Sequence, residues 1–393
     1  MSPPAAPQRV SRRAVLRAAL GGAGLLLGAP LRAAARSPSG AAVALLPPDD
    51  NGVRLLPGFS SRVVARTGQL PAVGSTYAWH PSPDGGATFP TADGGWIYVS
   101  NSELWAGMGG VAALRFAAGG AVVAAYPICS GTTLNCAGGA TPWGTWLTCE
   151  EFPSGHVWEC DPTGHEPAVI RPALGTFSHE AIAVDLAHRR LYLTEDMPYG
   201  RFYRFTAAAA GARLDLSRGL LEVAEVRGEV EGPVRWHAVP DPTAARRSTA
   251  EQVAASTVFS GAEGIARHRD TVYFATKYDN RVWAYDTRKE TLRVFYDDDR
   301  FAEPLLRGVD NVAISPAGDV LVAEDGGSMQ IVGITPRGAP YQLLQVTGQI
   351  GSEITGPAFD PGGSRLYFSS QRGPWGLFTQ GITYEVSGPF ARA

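Results

Sequence analysis

The feature that most restricts this chain is a repeat. Short runs rich in β-branched and aromatic residues end in an acidic or polar group at Glu103, Glu150-Glu151, Glu195-Asp196, Lys277, Glu324-Asp325 and Ser370-Gln371. Measured at positions 103, 150, 195, 277, 324 and 370, four intervals span 45 to 47 residues and one spans 82. A period of this size with two to four strands per unit is the signature of propeller blades. Six run-ends predict an all-β, six-bladed β-propeller. The long interval predicts a small insertion between the third and fourth blades, about residues 206–258, read as containing some helix. Four units also show a preceding strand, beginning at Glu180, Glu263, Asp310 and Thr355, which makes each an antiparallel hairpin. The 47 glycines and 30 prolines fit the tight turns that such hairpins need.

Residues 1–35 read as an address rather than as part of the fold. Ser11-Arg12-Arg13-Ala14-Val15-Leu16-Arg17 matches the twin-arginine pattern, a short Ala/Gly/Leu stretch follows, and Ala33-Ala34-Ala35 offers a cleavage site. The expected partner is the twin-arginine export machinery. The expected location is periplasmic or extracellular, with residues 36–393 forming a single propeller domain. No later apolar run is long enough to span a bilayer, so no stable membrane insertion is expected after cleavage. The leader carries five arginines and no acid, so removing it takes the formal charge from −3 to −8. That balance gives no pull toward nucleic acid or anionic lipid, and makes cations the expected guests.

Antiparallel pairing sets the start of each first strand and the end of each second strand at one end of the channel. Glu103, Glu150, Glu151, Glu195, Asp196, Glu324 and Asp325 are therefore expected there from strand ends, and Glu180, Glu263 and Asp310 from strand starts. Glu353, just before its strand, joins them. So many carboxylates in one confined space are costly unless cations neutralise them. Calcium, which takes six to eight oxygens, suits such a set. Cys136 sits in a glycine-rich turn among these acids, and a soft thiolate beside hard oxygens argues for a transition metal as well. Lys277 ends its strand where other repeats place acids, which aims a point charge at the same face.

The segment from Asn135 through Cys136, Gly138-Gly139 and Thr141-Pro142-Trp143-Gly144-Thr145 to Glu150-Glu151 closely resembles the PhoX family of secreted alkaline phosphatases. The likeness continues through Thr194-Glu195-Asp196, Ala262-Glu263-Gly264, Asp310-Asn311-Val312, Ala323-Glu324-Asp325-Gly326 and Glu353-Ile354-Thr355-Gly356-Pro357, across most of residues 76–373. The resemblance implies a six-bladed propeller holding two ferric ions, bridged by Cys136, together with calcium ions. It implies a metal-dependent phosphoester hydrolase in which a metal-bound oxide or hydroxide attacks the phosphorus of a small-molecule substrate. Cys136 and Lys277 are then the expected catalytic residues. The chain departs from the family at Gly261-Ala262-Glu263, where Arg-Pro-Glu is usual. Lys277 is the expected substitute grip on phosphate, and an arginine restored at 261 is expected to compensate in part for its loss. Two other classes remain open: a calcium-dependent propeller hydrolase of lactonase type, and a non-catalytic binding propeller. Metal content separates all three. The remaining cysteines fit an oxidising compartment, with either Cys149–Cys160 or Cys129–Cys149 as the disulfide.

Overall fold

The structure, a computed structural model, describes residues 44–209 and 211–391. The leader and the cleavage point near residue 36 lie outside them. The described chain is all-β and propeller-like, built from antiparallel strands with only short 3-10 turns between them. Six hairpins form its inner part. In chain order they are Pro83–Pro90 with Trp96–Ser102, Asn135–Ala140 with Trp146–Glu150, and His179–Asp185 with Arg190–Glu195. They continue with Ala262–His268 and Thr271–Thr276, Val309–Ile314 and Val320–Glu324, and Ile354–Phe359 and Arg365–Ser370. The first strand of each hairpin lies against that of the next, and the sixth lies against the first.

Outer strands extend these hairpins into five hydrogen-bonded sheets rather than six. The third and fourth hairpins share one nine-stranded sheet because Gly232–Ala238 pairs with Gly219–Val226 on one side and with Thr291–Asp297 on the other. This corrects the reading of 206–258 as partly helical. Its described residues hold two strands and a single 3-10 turn, Thr249–Glu251. Alternating apolar residues such as Leu221 and Val223 have a core to bury there, and that outweighs the local alanine content. Near the start of the described chain, Val53–Leu55 completes the sheet of the fifth hairpin and Ser60–Arg66 that of the sixth. Both otherwise open edges are thereby covered.

Six apolar clusters fill the spaces between neighbouring hairpins. Tyr98, Phe116 and Tyr367, for example, join the first to the sixth, and Phe202, Phe274 and Trp283 join the third to the fourth. At the axis the first strands approach so closely that side chains are excluded. A Cβ on Gly264 would stand 2.5 Å from Asn311 Cα, and one on Gly85 2.5 Å from Ala137 Cα. Only glycine fits at those points.

The register also revises the cysteines. Cys160 pairs with Trp146 and Cys149 with Val157, so Cys149 does not face Cys160 across its hairpin. Cys129 and Cys160 instead lie together in one buried cluster, close enough for each thiol to shift the pKa of the other.

Candidate metal centre

Every inner hairpin ends its ladder at the same channel mouth with one cross-strand pair: Pro83–Ser102, Asn135–Glu150, His179–Glu195, Ala262–Thr276, Val309–Glu324 and Ile354–Ser370. The residues just past the second strands are Glu103, Glu151, Asp196, Lys277, Asp325 and Gln371, one per hairpin. The residues just inside the first strands are Asp84, Cys136, Glu180, Glu263, Asp310 and Thr355. In each first strand the register slips by one residue next to this position. Such a bulge re-aims the side chains it carries. Two stacked rings result, with Glu353 beside them.

Within the rings, ligand atoms of Cys136, Glu151 and Glu180 lie within 4.8 Å of one another. So do those of Glu180, Glu263 and Asp310, and those of Asp310, Asp325 and Glu353. Both carboxylate oxygens of Glu180 are buried without a hydrogen-bond partner among the described residues. Nine carboxylates converge here (Asp84, Glu103, Glu151, Glu180, Asp196, Glu263, Asp310, Asp325 and Glu353) against two side-chain cations, Lys277 and Arg372. Burial first, then mutual repulsion, pushes Glu151, Glu180 and Glu263 well above the usual carboxylate range and Asp310 up to about 6. Burial also raises the Cys136 thiol, and Asp84, Glu180, Glu151 and Glu103 raise it further. Such a set is tolerable when cations are bound, so the donors fit metal ions of both soft and hard character.

Neutral side chains hold the donors in place. Asn101 Nδ2 donates to the carbonyls of Cys136 and Ala137 at 2.9 and 2.8 Å, while its Oδ1 accepts from Trp146 and Thr148. Gln371 Nε2 donates to Asp84 at 2.5 Å and to Glu103 at 2.8 Å, clamping two carboxylates. Lys277 Nζ lies 2.7 Å from Glu263, 3.3 Å from Asp325 and 3.8 Å from Asp196. Burial works against this ammonium, but Glu263, Asp310, Asp196 and Asp325 outweigh it and hold its pKa above the ordinary value. Arg372 reaches in from the mouth, its Nη2 2.5 Å from Glu353.

Three residues expected at the centre turn away from it. Glu150 accepts from the Thr133 and His156 amides and the Trp158 indole, Glu195 from the Tyr203 hydroxyl, and Glu324 from the Arg307 and Ser328 amides and Gln330. The reason is the period of two along an extended chain: when Glu151, Asp196 and Asp325 face the axis, their predecessors face the opposite side. Conversely, Asp84, Gln371 and Arg372 belong to the centre and were missed. The signal for Asp84 was present, since Asp84-Gly85-Gly86 opens its strand as Cys136-Ala137-Gly138 opens the next.

Gly261 has φ +64°, and a Cβ there would stand 2.8 Å from the Tyr278 ring. The place of the usual family arginine is thus covered by a neighbour's side chain, which argues against the expectation that arginine at 261 would compensate.

A family description, Alkaline phosphatase PhoX, matches residues 106–156, 152–291 and 287–373. No curated protein matches in sequence. Among solved structures, Pseudomonas fluorescens PhoX in complex with vanadate, a transition state analogue, superposes with a TM-score of 0.71 at 18% identity, covering 88% of this chain and 98% of that one. A Bacteroides thetaiotaomicron protein of unknown function gives a TM-score of 0.53 at 7% identity, with 84% and 76% covered. These likenesses concern the fold, whereas the family match runs through the ring residues from Cys136 to Gln371. On that match the chain belongs to the PhoX alkaline phosphatase family and is a phosphoester hydrolase of the PhoX type.

Proposed function

We propose that the chain hydrolyses small-molecule phosphoesters at a mixed iron and calcium centre on a six-bladed propeller. The observation that carries the metal assignment is the pair of unpartnered Glu180 oxygens, buried between the Cys136 group and the all-oxygen groups. Cys136, Glu151 and Glu180 offer the softest donor set and would hold iron. The oxygen-only groups around Glu263, Asp310, Asp325 and Glu353 suit calcium, with Glu103, Asp196 and Asp84 close by. When bound, the ions would supply Lewis acidity toward the phosphoryl oxygens and an activated oxygen nucleophile.

The chain's own residues hold and shape this site. Asn101 fixes the backbone that carries Cys136, and Gln371 spaces Asp84 from Glu103. Lys277 and Arg372 present positive charge on the face where a phosphate arrives, Lys277 as a point charge and Arg372 as a planar fork. Six blades follow if the nine-stranded sheet is counted as two, joined by Gly232–Ala238 as a strap. Six hairpins and six inter-hairpin clusters support that count. The leader would send the folded protein through the twin-arginine machinery to the periplasm or beyond, leaving residues 36–393 as one domain with an insertion at about 206–258.

The test is metal analysis of the purified protein together with Cys136→Ser. Iron with calcium, inhibition by vanadate, and loss of iron and phosphomonoester hydrolysis in the variant are expected. Calcium alone would favour a lactonase-type hydrolase, and neither metal a binding propeller. Iron and rate retained by Cys136→Ser would remove the thiol from the centre.

A further inference from the structure

Five aromatic side chains are exposed among the described residues: Trp105, Tyr199, Tyr278, Trp375 and Phe378, with Trp105 and Trp375 at 67% and 77%. All five lie in loops that leave the second strand of a hairpin, directly after Glu103, Asp196, Lys277 and Gln371. The loops at the opposite end of the hairpins carry none. The most exposed aromatic side chains among the described residues therefore all stand at the mouth of the metal centre. Exposed apolar surface gathered at one site and rimming polar groups marks a binding surface.

What covers it follows from the route that a phosphoester must take. The phosphate is drawn to the cations of the rings. Beneath the rings the channel narrows to a cavity of about 50 Å³ between Gly85, Ala137, Gly264 and Gly356. There the strands pass too closely for a Cβ on Gly264, so the organic part of the ester cannot extend down the axis. It must lie outward, among the loops at the mouth. Of these, the Tyr278 ring lies over Gly261. Trp105 and Trp375 stand on loops from adjacent hairpins, the first and the sixth.

We propose that this rim seats the organic group of the substrate, and that the favoured class is phosphomonoesters whose organic part is a planar ring system, such as an aryl group or a nucleobase. Ring-on-ring stacking tolerates many ring types, because every such ring offers a π-face. The rim would thereby select a class rather than one compound. This inference rests on the phosphoesterase reading.

The test compares adenosine 5′-monophosphate with glycerol 2-phosphate on the metal-loaded protein, in wild type, Trp105→Ala, Trp375→Ala and the corresponding Trp→Phe variants. Each alanine variant should raise KM for the nucleotide at least about fivefold, the effect of losing one stacked ring, and leave glycerol phosphate within about twofold. Phenylalanine should restore most of the loss. Calorimetric binding of the non-hydrolysable methylene phosphonate analogue of the nucleotide should weaken in parallel, which reads the rim without turnover. Equal losses on both esters, or unchanged nucleotide binding in the double alanine variant, would overturn the proposal. So would variants that keep nucleotide affinity but lose self-association or vesicle binding, which would give the rim to a second copy or a membrane. A wild type that binds the nucleotide through the rim but hydrolyses neither ester would leave the rim standing and sink the phosphoesterase reading.

Discussion

Glu150 and Glu151 are neighbours in the chain and do opposite work. Glu150 accepts two amide hydrogens and the Trp158 indole hydrogen, tying the turn after its strand. Glu151 lies with Cys136 and Glu180. Glu150→Ala should therefore lower the melting temperature, at a cost of about 1–3 kcal/mol for the donors left unpaired, and leave metal content intact. Glu151→Gln should lower iron content and leave the melting temperature of the metal-free protein unchanged or higher, since one repelling charge is gone. Equal metal loss in both would mean that the alternation does not sort them. Lys277 sits among Glu263, Asp325 and Asp196, so Lys277→Ala removes a built-in counter-charge as well as a contact for phosphate. Turnover or KM for a phosphomonoester should worsen by at least about tenfold, and the variant should take up more divalent cation. Wild-type kinetics and metal content would sink both roles. Adding Gly261→Arg to Lys277→Ala should restore nothing, because φ +64° and the Tyr278 ring leave no place for a side chain.

Between elements, the Cys129 and Cys160 thiols meet where Val122–Thr132 of one sheet passes Val157–Cys160 of the next. Treatment with glutathione disulfide should join them: two thiols lose two electrons and two protons, and glutathione disulfide is reduced to two glutathione molecules. The link would staple neighbouring sheets and raise stability by about 2–4 kcal/mol. Peptide mapping should find Cys129 bonded to Cys160, and Cys160→Ser should abolish the gain. A Cys129–Cys149 peptide instead would contradict the pairing of Cys149 with Val157 and place its thiol on the other face of the sheet.

For the whole molecule the rings are a liability without cations. A carboxyl group whose pKa is raised by folding binds its proton more tightly in the folded state. Stability is then full below its unfolded value and falls as pH rises toward the folded one. For Asp310 that window runs from 3.8 to about 6, and the groups pushed further extend it upward. Chelated protein should accordingly melt at lower temperature as pH is raised from roughly 4 to 7, and calcium with iron should reverse the fall at neutral pH. A melting temperature that is flat with pH and indifferent to chelator would mean that the rings are solvated.

The repeat of 45 to 47 residues, the strand runs and the thiol among acids are properties of local order, so the all-β repetitive architecture, the family and the gathering of acids at one end of the channel were legible in the chain alone. Strand register and the bulge beside each ring residue depend on pairing across the hairpin, which no single run contains. It is therefore the folded chain that sets Glu151, Asp196 and Asp325 toward the axis and Glu150, Glu195 and Glu324 away from it, and that brings Gln371 into the rings. Pairing also decided the remainder: Arg372 meets Glu353 and Tyr278 covers Gly261 once each hairpin is in register, and Cys129 meets Cys160 only once neighbouring sheets pack.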